Sequence, residues 1–113
     1  MKLLTKDLRK KLPPLYATED EKDPMVVCKF FHPRSRWTWY AIEFDGEDTF
    51  FGLVEGHFTE LGYFSLGELE AFEDDWGLGI ERDIRFQPKP LWEIKKDWPG
   101  AENTKGPNDG SGG

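Results

Sequence analysis

Residues 35–56 read SRWTWYAIEFDGEDTFFGLVEG and carry six aromatic side chains, five acids and no basic residue after Arg36. Thr38, Tyr40, Ile42 and Phe44 alternate with Trp37, Trp39, Ala41 and Glu43. A period of two marks a strand, because successive side chains of extended backbone point to opposite faces. Asp45 and Gly46 favour a turn, and TFFGLVE resumes the extended pattern beyond it. Two hairpin registers compete. A two-residue turn sets Glu43 opposite Asp48, a repulsive cross-strand pair. A four-residue DGED loop instead pairs Phe44 with Thr49, Ile42 with Phe51 and Tyr40 with Leu53, which makes one continuous apolar face. The spacing predicts the second register, with Trp37, Trp39, Phe50 and Val54 on the opposite face.

Gly56 permits another turn, so HFTELGYF reads as a third strand, with Phe51 opposite Leu61 across a three-residue loop. Upstream, MVVCKFF is β-branched and aromatic, which suits a strand. FSLGELEAF predicts a helix. Ser65 at the N-cap and Glu68 three residues on form a capping box, and Phe64 can staple onto Leu69. Leu66, Leu69 and Phe72 make its apolar stripe while Glu68, Glu70 and Glu73 face water; Gly77 and Gly79 break it. IERDIRF alternates as a strand with Ile80, Ile84 and Phe86 inward, and LWEIKK gives a last helical turn. At the other end, Thr5 caps a short helix with Leu4, Leu8 and Leu12 on one stripe, stopped by Pro13 and Pro14. LYATEDEKDP reads as a polar surface loop.

This order predicts an α+β class. The expected fold is an antiparallel meander of about five strands with an N-terminal helix, a capped helix near 65–74 and a short C-terminal helix, the helices lying on one side. Residues 1–98 form one domain, and 99–113 are a Gly-rich tail expected to be disordered.

Among 113 residues, aromatics make up 15% and charged residues 33%, a composition that fits a folded domain with a soluble surface. Cys28 is the only cysteine, which excludes an intramolecular disulfide and fits a reducing, cytoplasmic setting. Neither a signal peptide nor an apolar run long enough for a membrane span is expected. The net charge of -7 is unevenly spread: residues 1–12 sum to +4 and the remainder to -11. No Lys or Arg occurs between Arg36 and Arg82, whereas twelve acids run from Glu43 to Glu81. Such asymmetry steers encounters with basic surfaces and disfavours phosphate ligands on the central region.

No residue cluster names a reaction, and no catalytic residue, metal site or cofactor is assigned. Glu47, Asp48, Glu70, Asp74 and Asp75 are the candidate acidic face for a basic protein partner. One alternative is a small metal-dependent nuclease or hydrolase, using the carboxylates of Asp45, Glu47 and Asp48 with His57. Another is single-stranded nucleic-acid binding, with Arg34 and Arg36 beside Trp37 and Trp39 stacking unpaired bases. The simpler expectation there is a second buried face covered by Trp92 and Trp98. A nucleophile–base pair of Cys28 with a histidine is less favoured than a small core cysteine inside a strand. Oligomeric state is not legible.

The stretches MKLLTKDLRKKLPPLY, DPMVVCKFF, WTWYAIEFDGEDTFFGLVEG, ELGYFSLGELE and GLGIERDIRF together resemble the bacterial family catalogued as domain of unknown function 2958, from Met1 to about Ile94. Its members are short proteins carried by plasmids, integrative elements and phages. The resemblance implies an accessory role in mobile-element biology and supplies no catalytic residues. The leading expectation is therefore a non-catalytic interaction module with an acidic surface, acting against host defence or imitating nucleic acid.

Overall fold

The computed structural model describes residues 2–96. In chain order the elements are α1 (Lys6–Lys11), β1 (Met25–Val26), β2 (Cys28–Phe31), β3 (Thr38–Phe44), β4 (Thr49–Glu55) and β5 (Thr59–Ser65). Then come α2 (Leu66–Ala71), β6 (Glu81–Arg82), β7 (Lys89–Pro90) and α3 (Leu91–Lys95). The main sheet is antiparallel with strand order β5-β4-β3-β2-β6, and β1 pairs with β7 in a two-stranded ribbon. The α+β class and the meander are as expected. Among the described residues no helix is long and apolar enough to cross a membrane.

The β3–β4 hairpin keeps the predicted 45–48 loop and the Tyr40–Leu53 pair, but a β-bulge between Ala41 and Glu43 shifts the rest. Glu43 faces Phe51 and Phe44 faces Phe50, in place of the Ile42–Phe51 and Phe44–Thr49 pairs. A bulge sets an extra residue on one strand and re-aims the side chains after it. Here it turns Phe44 onto Phe50, with ring centroids 4.5 Å apart, and sends Glu43 inward. Every residue from Tyr40 to Phe44 is buried, so alternation vanishes from the burial pattern. Such a run belongs to a strand covered on both faces.

Both faces are indeed covered. Leu3, Leu4, Leu12, Cys28, Phe30, Phe44, Phe50, Leu66, Leu69 and Ile80 form one core. That core gathers the α1 segment and α2 on a single face. Val26, Tyr40, Ile42, Leu53, Leu91 and Ile94 form the other, which α3 closes. The expectation of helices on one side is thus corrected: α3 takes the opposite face, because Leu91 and Ile94 are its apolar residues and the β1–β7 pairing delivers them there.

The β4–β5 loop holds three residues as expected, but they are 56–58, with Leu53 facing Leu61 and Phe51 facing Tyr63. This shift of two keeps each side chain on its predicted face. Residues 80–86 are corrected more severely. Only β6 pairs, and Ile84 is exposed, because Asp83 Oδ1 accepts the Arg85 N–H at 3.0 Å and turns the chain. The helix near 65–74 ends at Ala71, with Phe72 already extended. The short N-terminal helix is capped by Thr5 Oγ1, which accepts the Leu8 N–H at 3.2 Å. The Gly-rich tail and Trp98 lie outside the described residues.

Candidate functional site

The acidic 45–48 turn is a built object. Asp45 Oδ1 accepts the N–H groups of Glu47 and Asp48 at 2.8 Å and of Thr49 at 3.0 Å. Those bonds, led by that of Glu47, hold its carboxyl below the ordinary 3.8. Asp48 then reaches the start of α2: Oδ2 accepts the Ser65 hydroxyl at 2.6 Å, and Oδ1 accepts the Gly67 N–H at 2.7 Å. Ser65 Oγ in turn accepts the Glu68 N–H at 3.1 Å, one half of the predicted capping box. Orphan N–H groups at a helix start favour such partners. The acid that serves them alongside Ser65 comes from the neighbouring hairpin turn, which local sequence spacing does not reveal.

This docking joins the turn and α2 into one ridge. The helix buries Leu66 and Leu69 and exposes Gly67, Glu68, Glu70 and Ala71, with no basic residue in its last turn. Glu47, Glu73 and Asp75 are exposed as well. The α1 segment borders the ridge. Arg9 donates to the Gly46 carbonyl at 2.9 Å, and Glu70 Oε2 accepts the Leu3 N–H at 3.3 Å.

Asp74 ends the ridge in a different role. Its Oδ1 accepts the N–H groups of Trp76 at 2.8 Å and Leu78 at 2.9 Å, and its Oδ2 takes His32 Nε2 at 2.9 Å. The Leu78 N–H leads in holding this carboxyl below 3.8, with Trp76 and His32 adding to it against partial desolvation. Asp45 and Asp74 both have folded values under their unfolded ones, so their contribution to stability is complete above the ordinary carboxylate range. It is lost as pH falls through the lowered values. Thermal melts from neutral to strongly acidic pH are expected to decline only in and below that range. Asp74→Asn, which cannot titrate, should make the decline shallower; an unchanged profile refutes the linkage.

Behind α2 lies a groove of about 340 Å³ walled by Trp37, Trp39, Phe64, Leu69, Phe72 and Ile80, with polar atoms from His32, Ser35, Ser65 and Glu68. Trp37 and Trp39 stack at 5.8 Å, as their shared strand face requires, and the Trp37 ring rests against Gly56, where a Cβ would collide with it. Two loops meet across the groove. His32 bonds Asp74 and meets the Phe72 ring edge-on at 5.5 Å, and the Arg34 guanidinium lies 4.2 Å from the Trp76 centroid. The other ring nitrogen of His32, Nδ1, lies 2.9 Å from the Ser35 hydroxyl, and Ser35 Oγ accepts the Trp37 N–H at 3.1 Å. Hydroxyl, imidazole and carboxylate stand in the order hydrolases use to move a proton. Here Ser35 is drawn into its own turn, and the three side chains clasp residues 32–37 to residues 72–78.

The sequence-predicted residues therefore part company. Glu47 and Asp75 project from the ridge, Glu70 is exposed but also accepts the Leu3 N–H, and Asp48 and Asp74 hold backbone. Trp37 and Trp39 line the groove, Arg34 stacks on Trp76, and Arg36 is exposed. The cover expected from Trp92 is corrected: it sits on α3 at the opposite face, its N–H donated to Asp23 at 2.8 Å. The metal-site alternative also loses its geometry. The 45–48 turn and His57 lie at opposite ends of β4, about 20 Å apart at 3.3 Å per residue. Among the described residues no group of three or more His, Cys, Asp or Glu is placed to hold a metal ion. Burial pushes the Cys28 thiol up to about 12 despite nearby Arg82, so it is a core thiol at neutral pH.

Neither a search of curated proteins nor a search of solved structures returns a match. A family model described as protein of unknown function (DUF2958) matches residues 3–94. That span takes in both cores, the ridge and the groove, and the chain belongs to this family.

Proposed function

We propose that the chain is a non-catalytic interaction module whose acidic ridge engages a basic surface on a partner protein. The observation that carries this reading is the docking of the 45–48 turn onto α2 through Asp48. It sets Glu47 beside a helix that exposes Glu68 and Glu70, inside a stretch with no Lys or Arg between Arg36 and Arg82. A surface of one sign raises encounter rates with a complementary partner and repels phosphates. In the mobile-element setting that the family resemblance implies, the fitting partner is a nucleic-acid-binding or host-defence protein, with the carboxylates occupying a site meant for phosphates.

The test reverses Glu47, Glu68, Glu73 and Asp75 to Lys together and leaves Asp48, Glu70 and Asp74 in place, because those three hold backbone. Immobilised wild-type protein should retain a partner at low salt and release it at moderate salt, as screening of exposed charges requires. The reversed variant, with an unchanged melting temperature, should retain none. Equal retention by both, or retention that ignores salt, overturns the reading.

A further inference from the structure

The groove behind α2 is not explained by a charged surface alone. Its walls are the side chains of Trp37, Trp39, Phe64, Leu69 and Phe72. A cavity of about 340 Å³ falls within the size range of small binding sites and has room for a bulky side chain. Phe72 in its wall is 45% exposed, and Trp76 in the loop that follows is 73% exposed, so large rings stand open to solvent. Glu68 belongs to the wall, and the exposed Glu73 and Asp75 lie one and three residues beyond Phe72.

We infer that the groove is the anchor pocket of the interaction surface. It receives one bulky apolar side chain from a partner segment whose flanking Lys and Arg residues lie against Glu68, Glu73 and Asp75. The inference rests on the acidic-ridge reading for the charge of the partner and adds the chemistry of its central residue. Hot spots at interfaces pair a buried apolar anchor with a charged rim. A nucleic-acid strand suits the aromatic walls but not the carboxylates around them. The Arg34 guanidinium over Trp76 is an internal instance of a basic group seated on a ring of the loop that follows Phe72.

The test uses the whole chain, labelled with ¹⁵N, and two Lys/Arg-rich peptides identical except for a central Phe or Ala. Binding of the Phe peptide should shift the indole signals of Trp37 and Trp39 and be tighter by about tenfold or more, the factor carried by one buried bulky side chain. Phe72→Glu separates the two contributions, because it adds an acid while spoiling the pocket. Its affinity for the Phe peptide should fall about tenfold, whereas binding by charge alone would hold or strengthen. Far-ultraviolet circular dichroism and a melt confirm that this variant folds.

Equal affinity for both peptides with unmoved indole signals overturns the anchor pocket and leaves the ridge standing. Preference for Phe that survives high salt and the four-residue charge reversal supports the pocket and removes the ridge. Binding of neither peptide overturns both. Stronger indole shifts with a single-stranded oligonucleotide, or shifts that depend on protein concentration without peptide, overturn the peptide occupant in favour of nucleic acid or a second copy.

Discussion

Gly52→Ala is expected to destabilise the chain by about 3 kcal/mol or more, lowering the melting temperature by about 15 °C. Gly52 lies on β4 opposite Ala41, next to the bulge on β3. A Cβ built there collides with the Tyr40 carbonyl oxygen and lies 3.2 Å from Ala41 Cα. Both obstacles are backbone of a central strand, so no side chain can rotate aside. Close approach of a second backbone is one of the few reasons for glycine inside a strand. Gly62 is its cross-strand partner on β5 and supplies the control, since nothing lies within 4 Å of a Cβ built there. Gly62→Ala should be neutral or stabilising by about 0.5 kcal/mol. Urea denaturation of the two single variants checks the contrast; similar midpoints would refute the close approach.

Glu43→Ala should destabilise by a comparable amount, about 3 kcal/mol, for an unrelated reason. Glu43 is only 3% exposed, and its carboxylate gathers donors from the loop after α1. Oε1 accepts the Tyr16 N–H at 2.8 Å, and Oε2 accepts the Thr18 N–H at 2.8 Å together with the Thr18 hydroxyl. Removing it leaves those donors without their acceptor and unfastens residues 15–20 from the sheet. Tyr16 has φ 72, a left-handed conformation that bulky residues adopt only when their surroundings impose it. Relaxation of Tyr16 should return part of the loss. Glu43→Gln keeps one acceptor oxygen and turns an NH₂ toward a donor, so it should lie between wild type and Ala. Limited proteolysis should cut the Ala variant first within residues 15–20; a protected loop would refute the fastening.

Much of the fold is local chemistry and was legible. Thr5 and Ser65 cap the helices they precede, and the 45–48 and 56–58 loops fall where Asp, Gly and polar residues concentrate. The register beyond Tyr40 was not legible, because a bulge is set by what a side chain meets in three dimensions. Glu43 turns inward for donors of a loop distant in sequence, and strand alternation carries no trace of them. The alternation of 80–86 misled for the opposite reason, since Asp83 offers its own backbone a turn that outcompetes pairing. In the candidate site the acids were visible as composition, but their division of labour was not. Asp48 and Asp74 resemble Glu47 and Asp75 until the N–H groups of Gly67, Trp76 and Leu78 are placed around them. The groove joins Trp37 and Trp39 to Phe64 and Phe72 across a strand order that only the sheet defines.

The unequal covering of the two sheet faces carries a consequence for motion. One side is sealed by chain from both the first dozen residues and the middle of the sequence, while the other depends on a two-residue ribbon and the single turn of α3. Amides of β1, β7 and α3 should therefore exchange with solvent as a separate low-energy unit, while the Trp39–Val54 and Phe44–Phe50 ladder stays protected. Each such excursion bares Tyr40, Ile42 and Leu53 without dissolving the sheet, giving the molecule a hinged back panel on the face away from α2.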